Sequence, residues 1–373
     1  MKKTKPSRPM KTVTLADVAR KCNVSVSSVS LVLNEKPLAR LLSEKTRSAI
    51  RVAADKLGYT PNRNAQALRS QRSNTIGVVV FDIADPFCTL ILKGIQAALE
   101  PVGMLPIIMD ATNQGKQFEQ YIALMLERRV EGLIVVANWL LSDKDITSNL
   151  EAFGVPVVIV GREVESTTVS SVLVDNEAGG YLALQHLHQM GHQKIAVICG
   201  PKGLQDSYRR LRGIERYARS IRFLLDRSLI VEMPDAADPL AGFGGGYEAT
   251  IELLSSKKKF SAVVAFDDLT ALGVIRALHE IGLRVPDEVS VIGFDDIPAA
   301  SLTTPSLSTI RQDMSGMGVA AAQHIIEMIQ SNGSANSGAS IRLTEPVIVA
   351  RESTSAITST SAITRDSRRL SKS

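Results

Sequence analysis

Asp85, Arg162, Asp267 and Asp295 each stand at or just past the end of a short apolar run, and Phe87 and Trp139 are placed the same way. Carboxylates and guanidinium groups bind hydroxyl pairs or ring nitrogens bidentately, and an aromatic face covers the apolar side of a ring. That set suits the binding of a small polar molecule. Catalytic signatures are missing: the chain has no P-loop, nucleophile elbow or dinucleotide fingerprint, so no catalytic residue and no cofactor is expected. Gly242–Gly246 is glycine-rich but lacks the G-x-G-x-x-G spacing that opens a helix after a strand. His186 and His188, two apart on a helix, point to different sides and cannot share a metal, and His192 belongs to a helix-end turn. Cys22, Cys88 and Cys199 match no zinc spacing, so no metal site is expected; their odd number fits a reducing cytoplasm. Trp139, the single Trp, has two readings: a stacking platform for a ligand, or a core or subunit-contact residue.

These residues need a scaffold that presents the ends of apolar runs together. The runs Ile76–Phe81, Leu133–Ala137, Val155–Val160, Ile195–Ile198, Ala262–Phe266 and Val289–Phe294 alternate with amphipathic helical stretches. Buried strands alternating with helices predict a parallel sheet in an α/β architecture. Two sets of strands, divided near Gly161, predict two similar lobes with ligand in the crevice at the strand C-termini. A chain of 373 residues has room for two or three folding units, and nothing in it resembles a transmembrane span or a secretory signal.

Charge separates a head from this body. Residues 1–72 hold 16 Lys/Arg against 4 Asp/Glu, a net +12, while the remaining 301 residues hold 27 against 34, a net −7. A basic head on an acidic body is the footprint of a polyanion-binding module fused to something that binds no polyanion. A disordered basic tail accounts for residues 1–11 alone, because beyond them the basic residues run through segments of helical spacing. Leu15, Val18, Ala19 and Cys22 form one helical stripe, started by Thr14 with Asp17 as a capping box and ended at Asn23. Ser25 then caps a helix from Val26, although Val24–Leu33 is so rich in β-branched residues that propensity alone favours a strand. Its neighbours and the stripe Val29, Val32, Leu33 favour helix. A third helix runs over 43–57, with Gly58 as its stop. Three short helices in one small core predict a helix-turn-helix head.

The motifs Thr14-Leu-Ala-Asp-Val-Ala-Arg20, Asn23-Val-Ser-Val-Ser-Ser-Val-Ser-Leu-Val-Leu-Asn34, Leu57-Gly-Tyr-Thr-Pro-Asn62 and Ala65-Gln-Ala-Leu-Arg-Ser70 resemble the helix-turn-helix and hinge of the LacI/GalR family of transcription regulators. In the body, Asp85-Pro-Phe87, Val174-Asp-Asn176, Arg210-Leu-Arg-Gly213 and Val285-Pro-Asp-Glu-Val-Ser-Val-Ile-Gly-Phe-Asp-Asp-Ile297 resemble its sensor domain, and the likeness spans about residues 12–352. The resemblance implies a helix-turn-helix domain over 12–60, a hinge over 61–72 and a periplasmic-binding-protein-like domain for effector binding and dimerisation over 73–352. Within the last, lobe 1 is expected at about 73–161 and 310–330 and lobe 2 at about 162–309 and 341–352, followed by a disordered tail over 353–373.

In such a head the second helix lies in the major groove, which makes Val26, Ser27, Ser28, Ser30 and Leu31 candidates for reading base edges. The family often carries Arg at the Leu31 position, so a guanine-reading fork is missing here. Thr14, Asn34, Arg47 and Arg63 are expected on phosphates, with Asn64 also at the DNA. Leu68 matches the family's apolar wedge into the minor groove, the alternative being a linker whose Leu packs on the body. The loop over 35–42 is about three residues longer than usual for the family. Arg210 and Asp295 match its most recurrent effector-binding positions, Asp267 replaces its common Asn, and Phe243 corresponds to a region where it places an aromatic over the effector. The whole implies a homodimeric DNA-binding repressor in the cytoplasm, with double-stranded operator DNA and a small-molecule effector as partners and no membrane. A sugar-binding transport protein shares the two-lobed fold, but the basic head opposes it, and an enzyme would need catalytic motifs the chain lacks.

Overall fold

A computed structural model describes residues 13–59, 72–111, 115–137, 150–151, 153–164, 166–233, 241–256, 258–331 and 340–357. The chain divides into two compact units, Met1–Ser73 and Asn74–Ser373.

In the first unit, α1 (Leu15–Cys22), α2 (Val26–Leu33) and α3 (Glu44–Leu57) enclose a core of Val18, Ala19, Val29, Val32, Ile50, Ala53 and Ala54. The local signals read in the sequence act as expected. Thr14 and Asp17 form a reciprocal capping box, and Asn23 ends α1 in the left-handed region at φ 52°. Ser25 Oγ accepts from the Ser28 amide at 3.1 Å and starts α2, whose Val29 and Val32 are buried. Burial on that stripe overrides the β-propensity of its valines. The long loop is not featureless: Pro37–Leu41 form a 3-10 turn that buries Ala39. The tail over 1–11 and nearly all of the hinge, Arg63, Asn64 and Leu68 included, lie outside the described residues.

The second unit contains two six-stranded sheets. One is built from β1 (Thr75–Val80), β2 (Leu105–Asp110), β3 (Gly132–Val136), β4 (Val157–Val160), β5 (Val169–Val174) and, near the C-terminus, β11 (Ile341–Thr344). All its ladders are parallel. The other holds β6 (Ile195–Cys199), β7 (Ile230–Glu232), β8 (Ala262–Val264), β9 (Ser290–Asp295), β10 (Ser308–Arg311) and β12 (Val347–Val349), with only β12 antiparallel. Helices α4 (Pro86–Leu99), α5 (Gly115–Glu127) and α10 (Met314–Gln330) cover the first sheet; α6 (Asn176–Gln189), α7 (Gln205–Ser220), α8 (Ala241–Ser255) and α9 (Asp268–Glu280) cover the second. The strands read as near-continuous apolar runs because helices bury both faces of each sheet.

Three helix pairs approach closely through reciprocal glycines. A methyl on Gly180 of α6 would land on the Arg210 carbonyl of α7, and one on Gly213 of α7 on the Glu177 carbonyl of α6. Gly94 and Gly318 serve α4 and α10 in the same way, and Gly246 and Gly273 serve α8 and α9.

The lobe boundaries read from sequence need correcting. Strand β5 belongs to the first lobe, so the chain crosses after Val174 rather than near Gly161; it returns after β10, which belongs wholly to the second lobe. Strand β11, expected in lobe 2, pairs with β5 in lobe 1. The buried pair Ser170-Ser171 had broken the apolar run that would have marked β5; Ser170 Oγ is bonded to His324 Nε2 at 2.9 Å. The expected disordered tail also starts too early. Ser353 is fully buried and its Oγ donates to the Val291 carbonyl at 2.6 Å, while the His192 ring bonds the Ser355 carbonyl and the Ile357 amide donates to the Met190 carbonyl. Polar composition concealed this segment because its hydroxyls and amides, not apolar side chains, attach it to the second lobe. Residues 358–373 lie outside the described residues.

Candidate functional site

A cleft of about 520 Å³, counted out to open solvent, lies between the lobes of the second unit. Asp85, Pro86 and Phe87 line it from lobe 1, and Leu204, Asp206, Arg210, Phe266, Asp267, Leu269 and Asp295 from lobe 2. Its base is apolar: Leu269 and Ile297 pack against the lobe 1 core that contains Phe87 and Ile91.

Parallel strands deliver these residues to one end. Asp85, between β1 and α4, accepts the Phe87 amide at 2.9 Å and caps α4. Asp267 caps α9 in the same way, accepting the Thr270 amide at 2.7 Å. Both carboxylates sit at the positive end of a helix dipole, which favours their charged form. Asp295 ends β9 at φ 112°, a backbone region that residues with a side chain rarely adopt. The following Asp296 holds that turn, accepting from Arg311 Nε at 2.7 Å and from Arg351 Nη2 at 2.6 Å.

Arg210 is the centre of the site. It is 8% exposed; its Nε donates to Asn176 Oδ1 at 2.8 Å, its Nη1 to the Phe266 carbonyl at 2.6 Å, and its Nη2 lies 3.7 Å from Asp295 Oδ1. The guanidinium stacks over Phe294, 3.6 Å from the ring centroid, and over Phe266 at 4.6 Å. Asn176 relays this order outward by donating to Asp206 Oδ1 at 2.9 Å, and Gln312 donates to Asp295 Oδ1. Burial pushes Asp206, Asp267 and Asp295 above the usual carboxylate range, with Arg210 pulling each back. Asp268, next to Asp267 and completely buried, is pushed by burial up to about 8.

The structure thus brings together Asp85, Phe87, Arg210, Asp267 and Asp295. Arg162 stands beside the cleft: its guanidinium is lowered by burial and raised by the charge of Asp206. Phe243 lies on α8, is 43% exposed and does not line the cleft, a departure from the expected aromatic cover. Trp139 lies outside the described residues. Asp206, Asn176 and Gln312 were not anticipated. Asp206 had a readable signal, since it precedes Arg210 by four residues and shares its helix face. Gln312 follows a strand end with no such mark.

In the head, Val26 is 46% exposed at the first turn of α2 and Ser27 is exposed beside it, while Ser28 and Ser30 are half-buried. Leu31 packs partly against the three-helix core. Asn34 Nδ2 donates to the Ser30 carbonyl at 2.8 Å, Thr14 donates to Asp17 at 2.7 Å, and Arg47 pairs with Glu44.

Burial pushes the Cys199 thiol up to about 12, and Cys88 is likewise raised, so both behave as apolar side chains. Among the described residues no group of three or more His, Cys, Asp or Glu is arranged to hold a metal, and no helix is long and apolar enough to cross a membrane.

A capped three-helix unit with an exposed second helix, followed by a two-lobed α/β unit around a polar cleft, defines a regulator that couples DNA binding to a small molecule. Comparison with known proteins agrees. Residues 14–62 match the model for bacterial regulatory proteins of the lacI family, and residues 184–354 match that for a periplasmic binding protein-like domain. The chain is 34% identical over 312 residues to the HTH-type transcriptional regulator GalR of Salmonella typhimurium (strain SL1344), covering 83% of this chain and 87% of that one. Its fold superposes on a lac repressor dimer bound to operator and the anti-inducer ONPF with a TM-score of 0.77 and 28% identity, over 93% of this chain and all of the other. A CelR–cellobiose complex gives a TM-score of 0.67 at 28% identity, again over 93% of this chain and all of that one. The chain belongs to the LacI family of transcription regulators.

Proposed function

We propose that the protein is a cytoplasmic repressor that binds a palindromic operator as a homodimer, with affinity set by a small polar effector held between the lobes. The observation that carries this reading is the arrangement around Arg210: a buried guanidinium fixed by Asn176 and Phe266 and aimed at a cleft that both lobes line. An effector bridging the lobes favours their closed arrangement, and it alters operator affinity only through its differential affinity for the two states. The lac repressor structure holds operator and anti-inducer together, and the CelR structure holds cellobiose, which supports the same division of labour here.

On DNA, Val26, Ser27 and Ser28 read base edges and touch thymine methyls, while Ser30, engaged with Asn34, and Leu31, tied to the core, contribute less. Thr14, Asn34, Arg47, Arg63 and Asn64 hold the backbone, and Leu68 wedges into the minor groove. In the cleft, Asp85, Arg210, Asp267 and Asp295 hold polar groups of the effector, with Phe87 and Trp139 against its apolar side and Arg162 at the rim.

Selection of duplexes from a random pool tests this, followed by a screen for ligands that change the binding. We expect a palindrome with half-sites about one helical turn apart and affinity that falls steeply with salt. Leu68→Ala should bind the selected duplex more weakly and bend it less. DNA binding that survives deletion of residues 1–72 would sink the reading.

A further inference from the structure

Charge in the cleft is lopsided. Among the described residues, four carboxylates line it (Asp85, Asp206, Asp267 and Asp295) against one guanidinium, Arg210. Arg210 is largely engaged by the protein, through Asn176 and the Phe266 carbonyl.

The carboxylates are not equally compensated. Asp206 is neighboured by Arg210, Arg209 and Arg162, and Asp295 by Arg210 and the amide of Gln312. Asp267 is 7% exposed, is hydrogen-bonded to Thr270, and forms no ion pair with a described Lys, Arg or His. An anionic ligand would set its charge against this group in a desolvated space where repulsion is strong. A neutral polyol would leave the Asp267 charge without a counter-ion once water is expelled. A primary ammonium supplies both the counter-charge and three donors.

With the cleft read as the effector site, we propose that its ligand is a small polyhydroxylated primary amine, its hydroxyls on Arg210 and Asp295 and its ammonium on Asp267. Asp85 faces the same space from the other lobe, so an ammonium there attracts carboxylates on both sides and favours closure.

Full-length protein, titrated calorimetrically at pH 7, tests the proposal with matched probes. For both glucose and galactose these are the 2-amino sugar, the parent hexose, the N-acetyl derivative and the 6-phosphate. An amine should bind about 10-fold or more tightly than its parent or its acetylated form, the scale of a charge-assisted hydrogen bond, with the phosphate weakest. Asp267→Asn should erase most of that preference; Asn caps helices as well as Asp, so α9 is kept. Equal or tighter binding of a neutral or phosphorylated form, failure of both amines to bind, or a preference that Asp267→Asn leaves intact would overturn it. Arg210→Ala separates the two levels of inference. A neutral sugar lost in Arg210→Ala but untouched by Asp267→Asn keeps the cleft and removes the amine, whereas binding indifferent to both variants removes the cleft itself.

Discussion

Asp268 shows how far one buried carboxyl governs a site it does not line. Its Oδ2 accepts the Ile297 amide at 2.9 Å and its Oδ1 the Thr309 hydroxyl at 2.6 Å, so it ties the start of α9 to the segment after β9 and to β10. Burial is the main cause that lifts it to about 8, with Asp267 and Asp296 adding to the rise. A carboxyl that holds its proton more tightly folded than unfolded stabilises the fold fully below about pH 4, and that contribution is lost as pH rises through about 8. Asp268→Asn has no proton to lose. We expect its melting temperature to fall less than the wild type's between pH 5 and pH 8.5, as differential scanning fluorimetry would show; parallel pH profiles would contradict this assignment. Asp268→Ala should instead cost about 1–3 kcal/mol at pH 5, because it strands a buried amide donor, and the cost should shrink as pH rises through about 8. At this scale the sequence was informative where type and position coincide, as for Arg210, Asp85 and Asp295. It gave no role for Asp268, because that role depends on which loop folds over it.

Among the helices, the reciprocal glycines decide how closely paired elements approach, and that distance places the chemistry. The contact between Gly180 on α6 and the Arg210 backbone on α7 sets Asn176, at the start of α6, within 2.8 Å of the Arg210 guanidinium. Gly180→Ala should therefore damage the site as well as stability. Overpacking of this kind costs about 1–3 kcal/mol, and the forced separation should weaken effector binding more than a stability loss alone explains. Comparing it with Gly94→Ala, the same lesion between α4 and α10 in lobe 1, distinguishes the two effects; equal affinity losses would argue against positioning. Helical stripes, caps at Thr14 and Ser25 and stops at Asn23 and Gly58 were legible because capping is local. The membership of β5 and β11 was not, since sheet partners are chosen by long-range pairing and Ser170-Ser171 carries no apolar signature.

Across the whole ligand-binding unit, the lobes are joined by an ion pair whose members each adjoin a candidate cleft residue, Arg162 or Arg210. Glu163, between β4 and β5 of lobe 1, pairs with Arg209 of α7 in lobe 2, each about a third exposed. Arg162 of lobe 1 and Asp206 of lobe 2 attract alongside it. A pair that spans the lobes biases the open–closed equilibrium without touching ligand, so its removal lowers apparent affinity by the competent fraction lost. Arg209→Ala should weaken effector binding by about 2- to 5-fold, within the range of a partly exposed pair, and the swap Glu163→Arg with Arg209→Glu should restore part of it. Titration of effector against both variants checks this, and a swap no better than either single reversal would remove the bridge from the mechanism.

Local chemistry along the chain was enough to specify a basic capped helical head, a body of buried strands alternating with helices, and polar residues at strand ends, because charge, capping and apolar periodicity act over a few residues. Tertiary structure alone decided which lobe each strand joins, that Ser353 to Ile357 pack on the second lobe, that Asp206 and Gln312 complete the site while Phe243 stays outside it, and that Asp267 forms no ion pair with a described Lys, Arg or His. Those outcomes depend on groups far apart in sequence being brought together and stripped of water, and no local pattern records which partners they will meet.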